Sequence, residues 1–323
     1  MKVLVYIAAE PVWTIPTEQV VRLQQQFPQH RFVNALDDGQ AREEIADADV
    51  VFSSLVTPAL FAAARQLKWI QSPAAGVGRL LFPAVKDSDV ILTNASGLHA
   101  VPIAEHVFGL AIALARKFQT AVRRQVEHRW AKDEIGHVSV LHGHRLGIIG
   151  LGAIGSAVAK LGMAFGMRVD AVRRHPDAGG PDGVEHVYGL DQLDTLLATS
   201  DFVVVCAPLT AETAGLIGER QLRLMKPTAF LINVARGKLI REAELVEALK
   251  KETIGGAGLD VFEHEPLDPA SPLWDLPNVL VTPHTSGFFE RYWEAASDLF
   301  ADNLRRWDRG EPLRNVVDKK AGY

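Results

Sequence analysis

Leu146-Gly-Ile-Ile-Gly150-Leu-Gly152-Ala-Ile-Gly155 sets an apolar run of strand character directly before a Gly-x-Gly-x-x-Gly turn, and the Ala/Val-rich segment Ala157 to Phe165 after it has the composition of a helix. In a strand–turn–helix of this kind the first glycine permits the tight turn and the second lets the backbone approach a pyrophosphate. The third allows helix and strand to pack closely, with the helix N-terminus aimed at the phosphates. The stretch predicts a dinucleotide cradle built from Gly150, Gly152, Ala153, Ile154 and Gly155; the bland alternative is a βα turn with no ligand. A Walker loop is excluded, because Ser156 rather than Lys-Ser/Thr follows the last glycine.

Working outward, Leu146 to Ile149 opens a series of apolar runs that continues through Arg168 to Val172, Phe202 to Cys206, Ala229 to Val234, Gly258 to Val261 and Val279 to Thr282, most of them separated by amphipathic stretches. Upstream, a weaker series covers Val3 to Ala8, with Met1 to Ala9 read as a first strand, then Arg31 to Val33, Val50 to Phe52, Trp69-Ile70 and Val90 to Leu92. Strands alternating with helical stretches indicate parallel sheets. The fold class is therefore α/β with two doubly wound domains. A helix over His106 to Phe118 and a polar connector, Arg123 to His144, join them, and Pro176 to Gly183 is a surface loop. From Phe288 to Trp307 apolar residues recur every three or four positions, as in one long amphipathic helix.

The 323 residues correspond to two domains at roughly 150 residues each. With 48% hydrophobic and 23% charged residues the chain reads as a folded soluble protein, and a net charge of −5 offers no broad basic footprint for nucleic acid. The longest strongly apolar stretch, Val107 to Ala115, falls far short of the roughly 20 residues of a membrane span, and the N-terminal run is too short for a secretory signal. One cysteine, Cys206, excludes an internal disulfide and a Cys-rich zinc site and fits a reducing, cytoplasmic setting. At the end of its apolar strand it reads as a small buried side chain. His137, His142 and His144 belong to the polar connector, so no metal is expected, and no Gly-x-Ser-x-Gly elbow supports a serine hydrolase.

The end of the second strand of the nucleotide domain distinguishes the two nicotinamide dinucleotides. An acid there bonds the ribose hydroxyls, whereas arginine accommodates a 2′-phosphate. Asp170, twenty positions after Gly150, satisfies the count but lies inside the run Val169 to Val172, while Arg173-Arg174-His175 stands at the strand end. The preferred reading is NADP bound by Arg173 and Arg174, with NAD as the alternative.

Three later strands end in ionisable residues: Asn233-Val-Ala-Arg236-Gly, Leu259-Asp260-Val-Phe-Glu263-His-Glu265-Pro and Val281-Thr-Pro-His284-Thr-Ser-Gly287. Ligands of open α/β sheets bind outside the carboxyl ends of strands, so Arg236, Asp260, Glu265 and His284 can converge there. Carbonyl reduction needs a hydride on carbon and a proton on oxygen. A histidine fixed by a carboxylate is a suited proton donor, and the rigid fork of an arginine can grip a carboxylate and polarise the carbonyl beside it. Taken singly, each residue has a structural explanation as a turn residue, a cap or a hydrogen-bonded loop group; their joint position behind the glycine turn points to 2-oxoacid reduction.

Over nearly its whole length the chain resembles the D-isomer-specific 2-hydroxyacid dehydrogenases, through Gly150-Leu-Gly-Ala-Ile-Gly155, Pro208-Leu-Thr-Ala-Glu-Thr213, Met225-Lys-Pro-Thr-Ala-Phe-Leu-Ile-Asn-Val-Ala-Arg-Gly237, Gly258-Leu-Asp-Val-Phe-Glu263, Ser271-Pro-Leu-Trp274 and Thr282-Pro-His284. The resemblance implies a flavodoxin-like substrate domain, 1–98 plus 288–323, an inserted Rossmann domain, 99–287, and an active site in the cleft between them. It implies Arg236 as the substrate-binding arginine, His284 as acid/base and Glu265 as its partner, with Asp260 on the nicotinamide side. Ala75, Gly76 and Val77 would present backbone amides to the substrate carboxylate. Cys206, Ala207, Pro208, Thr213, Val234, Ala235, Ser286 and Gly287 would complete the cofactor site, and the helix after Val101 would support a homodimer. Members that prefer NAD usually carry Asp at the position of Arg173, and Gly78 stands where Asp is common. The resulting expectation is a reductase of small 2-oxoacids such as glyoxylate or hydroxypyruvate; a short 3-phosphoglycerate dehydrogenase and a non-enzymatic dinucleotide sensor are the competing readings.

Overall fold

The computed structural model describes residues 1–7 and 13–322. The chain separates into two compact units, Met1–His99 with Phe289–Tyr323, and Ala100–Phe288. Each division falls one residue after the boundary expected from sequence. His99 and Phe289 stay with the first unit because both rings pack on Tyr292, at 5.2 and 5.6 Å between centroids.

In the first unit β1 (Lys2–Val5), β2 (Arg31–Asn34), β3 (Val50–Phe52), β4 (Trp69–Gln71) and β5 (Ile91–Thr93) form a parallel sheet in the order β2-β1-β3-β4-β5. This is the flavodoxin-like order. Helices α1 (Thr17–Gln26), α2 (Asp38–Ile45), α3 (Pro58–Ala63) and α4 (Pro83–Lys86) connect the strands. Their starts follow local chemistry: Asp37 caps α2 by accepting the Gln40 amide, and Thr57 caps α3, which begins with Pro58. β1 is four residues long, shorter than expected; Ala8 and Ala9 lie outside the described residues.

The C-terminal helix (Tyr292–Asp308) covers one face of this sheet, where Phe300 is fully buried and stacks on Phe52 at 4.5 Å. Burial of such a side chain contributes about 1.5–3 kcal/mol. Beyond it, Val316 forms an antiparallel bridge with Thr93 and the Val317 amide donates to Leu92 O, so the chain end extends the sheet. Asn303, with no exposure, ties helix and tail to the sheet by bonding Gln71 Oε1 and both backbone polar groups of Arg314.

The second unit begins with α5 (Ala100–Ala115), α6 (Phe118–Val126) and α7 (Lys132–Ile135). α5 starts six residues before the expected His106, because Pro102 is tolerated in a first turn whose N–H groups have no helical acceptor. It ends at Ala115, before the expected Phe118, and Lys117, with a left-handed φ of 54°, turns the chain into α6. Then follow β6 (Arg145–Ile149), α8 (Ala153–Ala164), β7 (Arg168–Val172), β8 (Val184–Tyr188), α9 (Leu193–Thr199), β9 (Phe202–Val205), α10 (Glu219–Leu224), β10 (Phe230–Asn233), α11 (Glu242–Lys250), β11 (Gly256–Leu259) and β12 (Val279–Val281). The seven strands are parallel in the order β12-β11-β10-β9-β6-β7-β8. β8 has no counterpart in the sequence reading. It is an edge strand that exposes Glu185 and His186, so it lacks the apolar run of its buried neighbours.

Candidate active site

The strand order of the second unit reverses between β6 and β9, the position where doubly wound sheets bind dinucleotides. Gly150 leaves β6 with φ 99°, donates its amide to Val172 O at 2.8 Å, and lies so close to the chain after β9 that a Cβ would stand 2.6 Å from Ala207 Cα. A Cβ on Gly155 would fall 2.1 Å from Gly150 O, so the helix must approach the turn without a side chain. Gly152 differs. A Cβ there would meet nothing within 4 Å, so the protein's own packing does not require a glycine. An open position beside a bare helix start is what close approach of a pyrophosphate demands. Gly152 is the N-cap of α8 and offers no side-chain acceptor, leaving the first-turn amides of Ala153, Ile154 and Gly155 for an anion. These residues fit a nicotinamide dinucleotide.

The chain after β9 runs through Cys206, Ala207 and Pro208 into a turn pinned by Thr213, whose hydroxyl donates to Pro208 O at 2.7 Å and accepts the Thr210 amide at 2.8 Å. Burial pushes the Cys206 thiol up to about 12, so it remains a neutral thiol. Val234 and Ala235, after β10, are buried. At the end of β7, Arg173 donates from Nη1 to Gly179 O at 2.6 Å, while the exposed Arg174 lies 3.5 Å from Glu212. Asp170 is 1% exposed and engaged by Arg145 and by His186 Nδ1, so its carboxylate is not open to a ribose. Asp170, Glu185 and His186 form a compact acid–histidine group, with Arg145 bonded to both acids. The connector histidines separate: His142 packs on Gly166 and His144 lies 3.2 Å from Asp201.

Arg236, Asp260, Glu265 and His284 belong to three adjacent strand ends, and backbone contacts hold those ends together. A Cβ on Gly237 would stand 1.8 Å from the Phe262 carbonyl carbon, so the loop carrying Arg236 rests directly on the Phe262–Glu263 backbone. Asn233 braces the same loop, donating to Arg236 O at 3.0 Å and accepting the Ala235 amide at 3.1 Å. The Arg236 side chain is exposed, with Nη1 on Ala235 O at 2.6 Å.

Glu265 uses both carboxylate oxygens. Oε1 accepts the Phe262 amide at 3.0 Å and Oε2 lies 2.7 Å from His284 Nδ1. Because a carboxylate only accepts, Nδ1 carries a proton, and Nε2 is the atom free to exchange one. His284 is held with φ 55°, a conformation rarely adopted by a side-chain-bearing residue, and its amide donates to Asp260 O and Thr282 O. The resemblance implies a nicotinamide contact for Asp260, whereas the structure gives its carboxylate another task. With no exposure, it accepts Thr282 Oγ1 at 2.6 Å and the amides of Thr285 and Ser286 at 2.9 and 3.0 Å, fixing the loop that presents His284 and runs on to Gly287. His106 Nε2 completes this network, donating to Thr282 Oγ1 at 2.9 Å. Thr282 and the His106 contact escaped the sequence reading, because a hydroxyl inside a strand run carries no signal until its partner is placed.

In the first unit, the amides of Ala75, Gly76 and Val77 have no hydrogen-bond acceptor among the described residues. Amides without an acceptor are donors available to an anion.

A family model described as the D-isomer specific 2-hydroxyacid dehydrogenase NAD binding domain matches residues 108–286. A glyoxylate reductase from Korarchaeum cryptofilum is 37% identical over 289 residues, covering 86% of this chain and 85% of the relative. A solved D-isomer specific 2-hydroxyacid dehydrogenase from Xanthobacter autotrophicus, in complex with NADPH, is 32% identical with a TM-score of 0.84, covering 99% of this chain and 100% of that one. An NADPH-dependent glyoxylate/hydroxypyruvate reductase from Sinorhizobium meliloti, in complex with NADP and sulfate, is 28% identical with a TM-score of 0.83, covering 100% and 99%.

Proposed function

Because the chain belongs to the D-isomer specific 2-hydroxyacid dehydrogenase family, oxidoreductases acting on CH–OH groups with a nicotinamide cofactor, we propose that it reduces glyoxylate and hydroxypyruvate with NADPH, through His284 as proton donor. The observation that carries this reading is the Glu265–His284 pair, 2.7 Å apart on a loop locked by buried Asp260. The bound cofactor supplies the hydride. Glu265 holds the Nδ1 proton of His284, so the proton delivered to the nascent alkoxide leaves from Nε2 and returns there from water after product release. Within the second unit the Arg236 guanidinium, beside the His284 loop, polarises the substrate carbonyl; within the first unit the open amides of Ala75, Gly76 and Val77 are read as a group for binding a carboxylate.

NADPH is favoured by Arg173 and Arg174 at the end of β7 and by the unavailability of Asp170; the relatives from Xanthobacter and Sinorhizobium hold the phosphorylated cofactor. A homodimer is supported by α6, which exposes Phe118, Val122 and Val126 at four-residue spacing, followed by Trp130 at 95% exposure. No described helix is long and apolar enough to cross a membrane, and we place the enzyme in the cytoplasm on the strength of its one free thiol.

The test is loss of reduced-nicotinamide absorbance with a panel of 2-oxoacids, each assayed with NADPH and NADH. Turnover of glyoxylate and hydroxypyruvate with NADPH favoured is the expected result. Exclusive turnover of 3-phosphohydroxypyruvate would assign a phosphoglycerate dehydrogenase, for which the exposed Arg79 beside the amide loop offers a second anion contact. Tight cofactor binding with no turnover of any substrate would favour a dinucleotide sensor.

A further inference from the structure

The open amides of the first unit owe their direction to groups distant in sequence. In a trans peptide the N–H of one residue points opposite to the C=O of the residue before it, so fixing a carbonyl aims the following amide. Asn94 Nδ2 donates to Ala75 O at 2.9 Å, which turns the Gly76 N–H outward, and the Ala95 amide donates to Ala74 O at 3.1 Å, which does the same for Ala75. The root of the loop is the Pro73–Ala74 plane. There Tyr292 Oη donates to Pro73 O, and the Ala74 amide donates to Ser72 Oγ at 3.1 Å.

Tyr292 opens the C-terminal helix and is only 5% exposed. Trp13, Trp293, His99 and Phe289 surround its ring, with centroids 4.6, 5.0, 5.2 and 5.6 Å away. Burial pushes its phenol well above the usual range, so Oη remains a donor. Packing among aromatic rings does not require a hydroxyl. Phenylalanine would fill the same space, and the hydroxyl's one described contact is the loop carbonyl.

We propose that Tyr292 is a positioning residue for the substrate carboxylate, fixing through its hydroxyl the Pro73–Ala74 peptide plane at the root of the loop, from which the next two planes carry the Ala75 and Gly76 amides. The inference rests on the reading of residues 75–77 as the carboxylate site. It extends that site to the opposite end of the chain and makes 2-oxoacid affinity depend on the C-terminal helix.

Tyr292→Phe is expected to raise KM for glyoxylate about three- to tenfold, the effect of losing one neutral hydrogen bond, with kcat and the NADPH dissociation constant within about twofold of wild type. Amide-resolved hydrogen exchange with oxamate, an unreactive 2-oxoacid analogue, separates the two layers of the claim. In the wild type, oxamate should slow exchange at residues 75–77, and in Tyr292→Phe that protection should weaken. Wild-type protection combined with an unchanged KM in the variant, or a lowered Tm alone, would overturn the role of Tyr292 and leave the loop assignment standing. Absence of protection in the wild type would remove the loop assignment and this inference with it. If Tyr292→Phe does not fold, Asn94→Ser, which releases the Ala75–Gly76 plane further along the same loop, must show the same rise in KM at constant kcat; no rise would overturn the proposal.

Discussion

A methyl group on Gly237 would collide with main chain, the Phe262 carbonyl at 1.8 Å and the Glu263 nitrogen at 2.4 Å, and main chain cannot swing aside as a flexible side chain can. Gly237→Ala should therefore cost at least the 1–3 kcal/mol typical of overpacking, roughly, and reduce kcat as well by separating the Arg236 loop from the loop that carries Glu265. Thermal unfolding and steady-state kinetics on the same preparation check both; an unchanged Tm would show that the two loops are not in register as described. At this scale the sequence was most informative about ionisable groups. Arg236, Glu265 and His284 stood out as candidates because ionisable residues recur at three successive strand ends behind the glycine turn, although each taken singly has a structural explanation. Thr282 and Tyr292 could not, since a hydroxyl acquires its role from a partner brought near only by the fold. Asp260 was legible as a site residue, but whether it faced the cofactor or the protein depended on the Thr285 and Ser286 amides that surround it.

Elements carry two consequences. The end of β7 presents Arg173 and Arg174, and replacing the first by the acid that would bond a ribose should reverse the cofactor preference. Arg173→Asp is expected to shift the NADPH to NADH ratio of kcat/KM toward NADH by about 10- to 100-fold, the range of one charge-assisted contact; an unchanged ratio would place the 2′-phosphate elsewhere. The entry to β9 depends on Asp201. Burial pushes its carboxyl up, but the Arg145 amide, Lys226 and His144 outweigh that and hold it below the usual carboxylate range. The native state then binds fewer protons than the unfolded one between the two pKa values, so the contribution is complete above the unfolded value of about 3.9 and disappears as pH falls through the native one. Asp201→Asn should lower Tm at neutral pH and by much less in strong acid; an equal loss at both would show that charge is not involved. The buried strand Val50–Phe52 was legible to the residue because both faces are covered and the apolar run has no gaps, and Arg168–Val172 remained legible because Val169, Ala171 and Val172 flank its one charged interior residue, Asp170. β8 was not, because an edge strand satisfies its outer face with Glu185 and His186 and so resembles a loop.

For the whole molecule, the proposed homodimer rests on the exposed apolar face of α6. Val122→Asp combined with Val126→Asp should halve the mass measured by light scattering after gel filtration, from a dimer of the 35.3 kDa chain to a single copy. A wild-type chain that is already monomeric would contradict the proposed assembly. The sequence placed this segment partly in a polar connector, since Arg123, Arg124 and Arg129 alternate with the apolar residues and conceal their four-residue spacing. The two parallel sheets, by contrast, followed from the alternation of apolar runs and helical stretches. The proposed reduction rests on His284 as proton donor, with Glu265 holding its Nδ1 proton. The most direct test is kcat for glyoxylate reduction by His284→Ala at saturating NADPH. A fall of about 10²- to 10⁴-fold, with cofactor affinity retained, is the predicted result, and turnover close to wild type would contradict it.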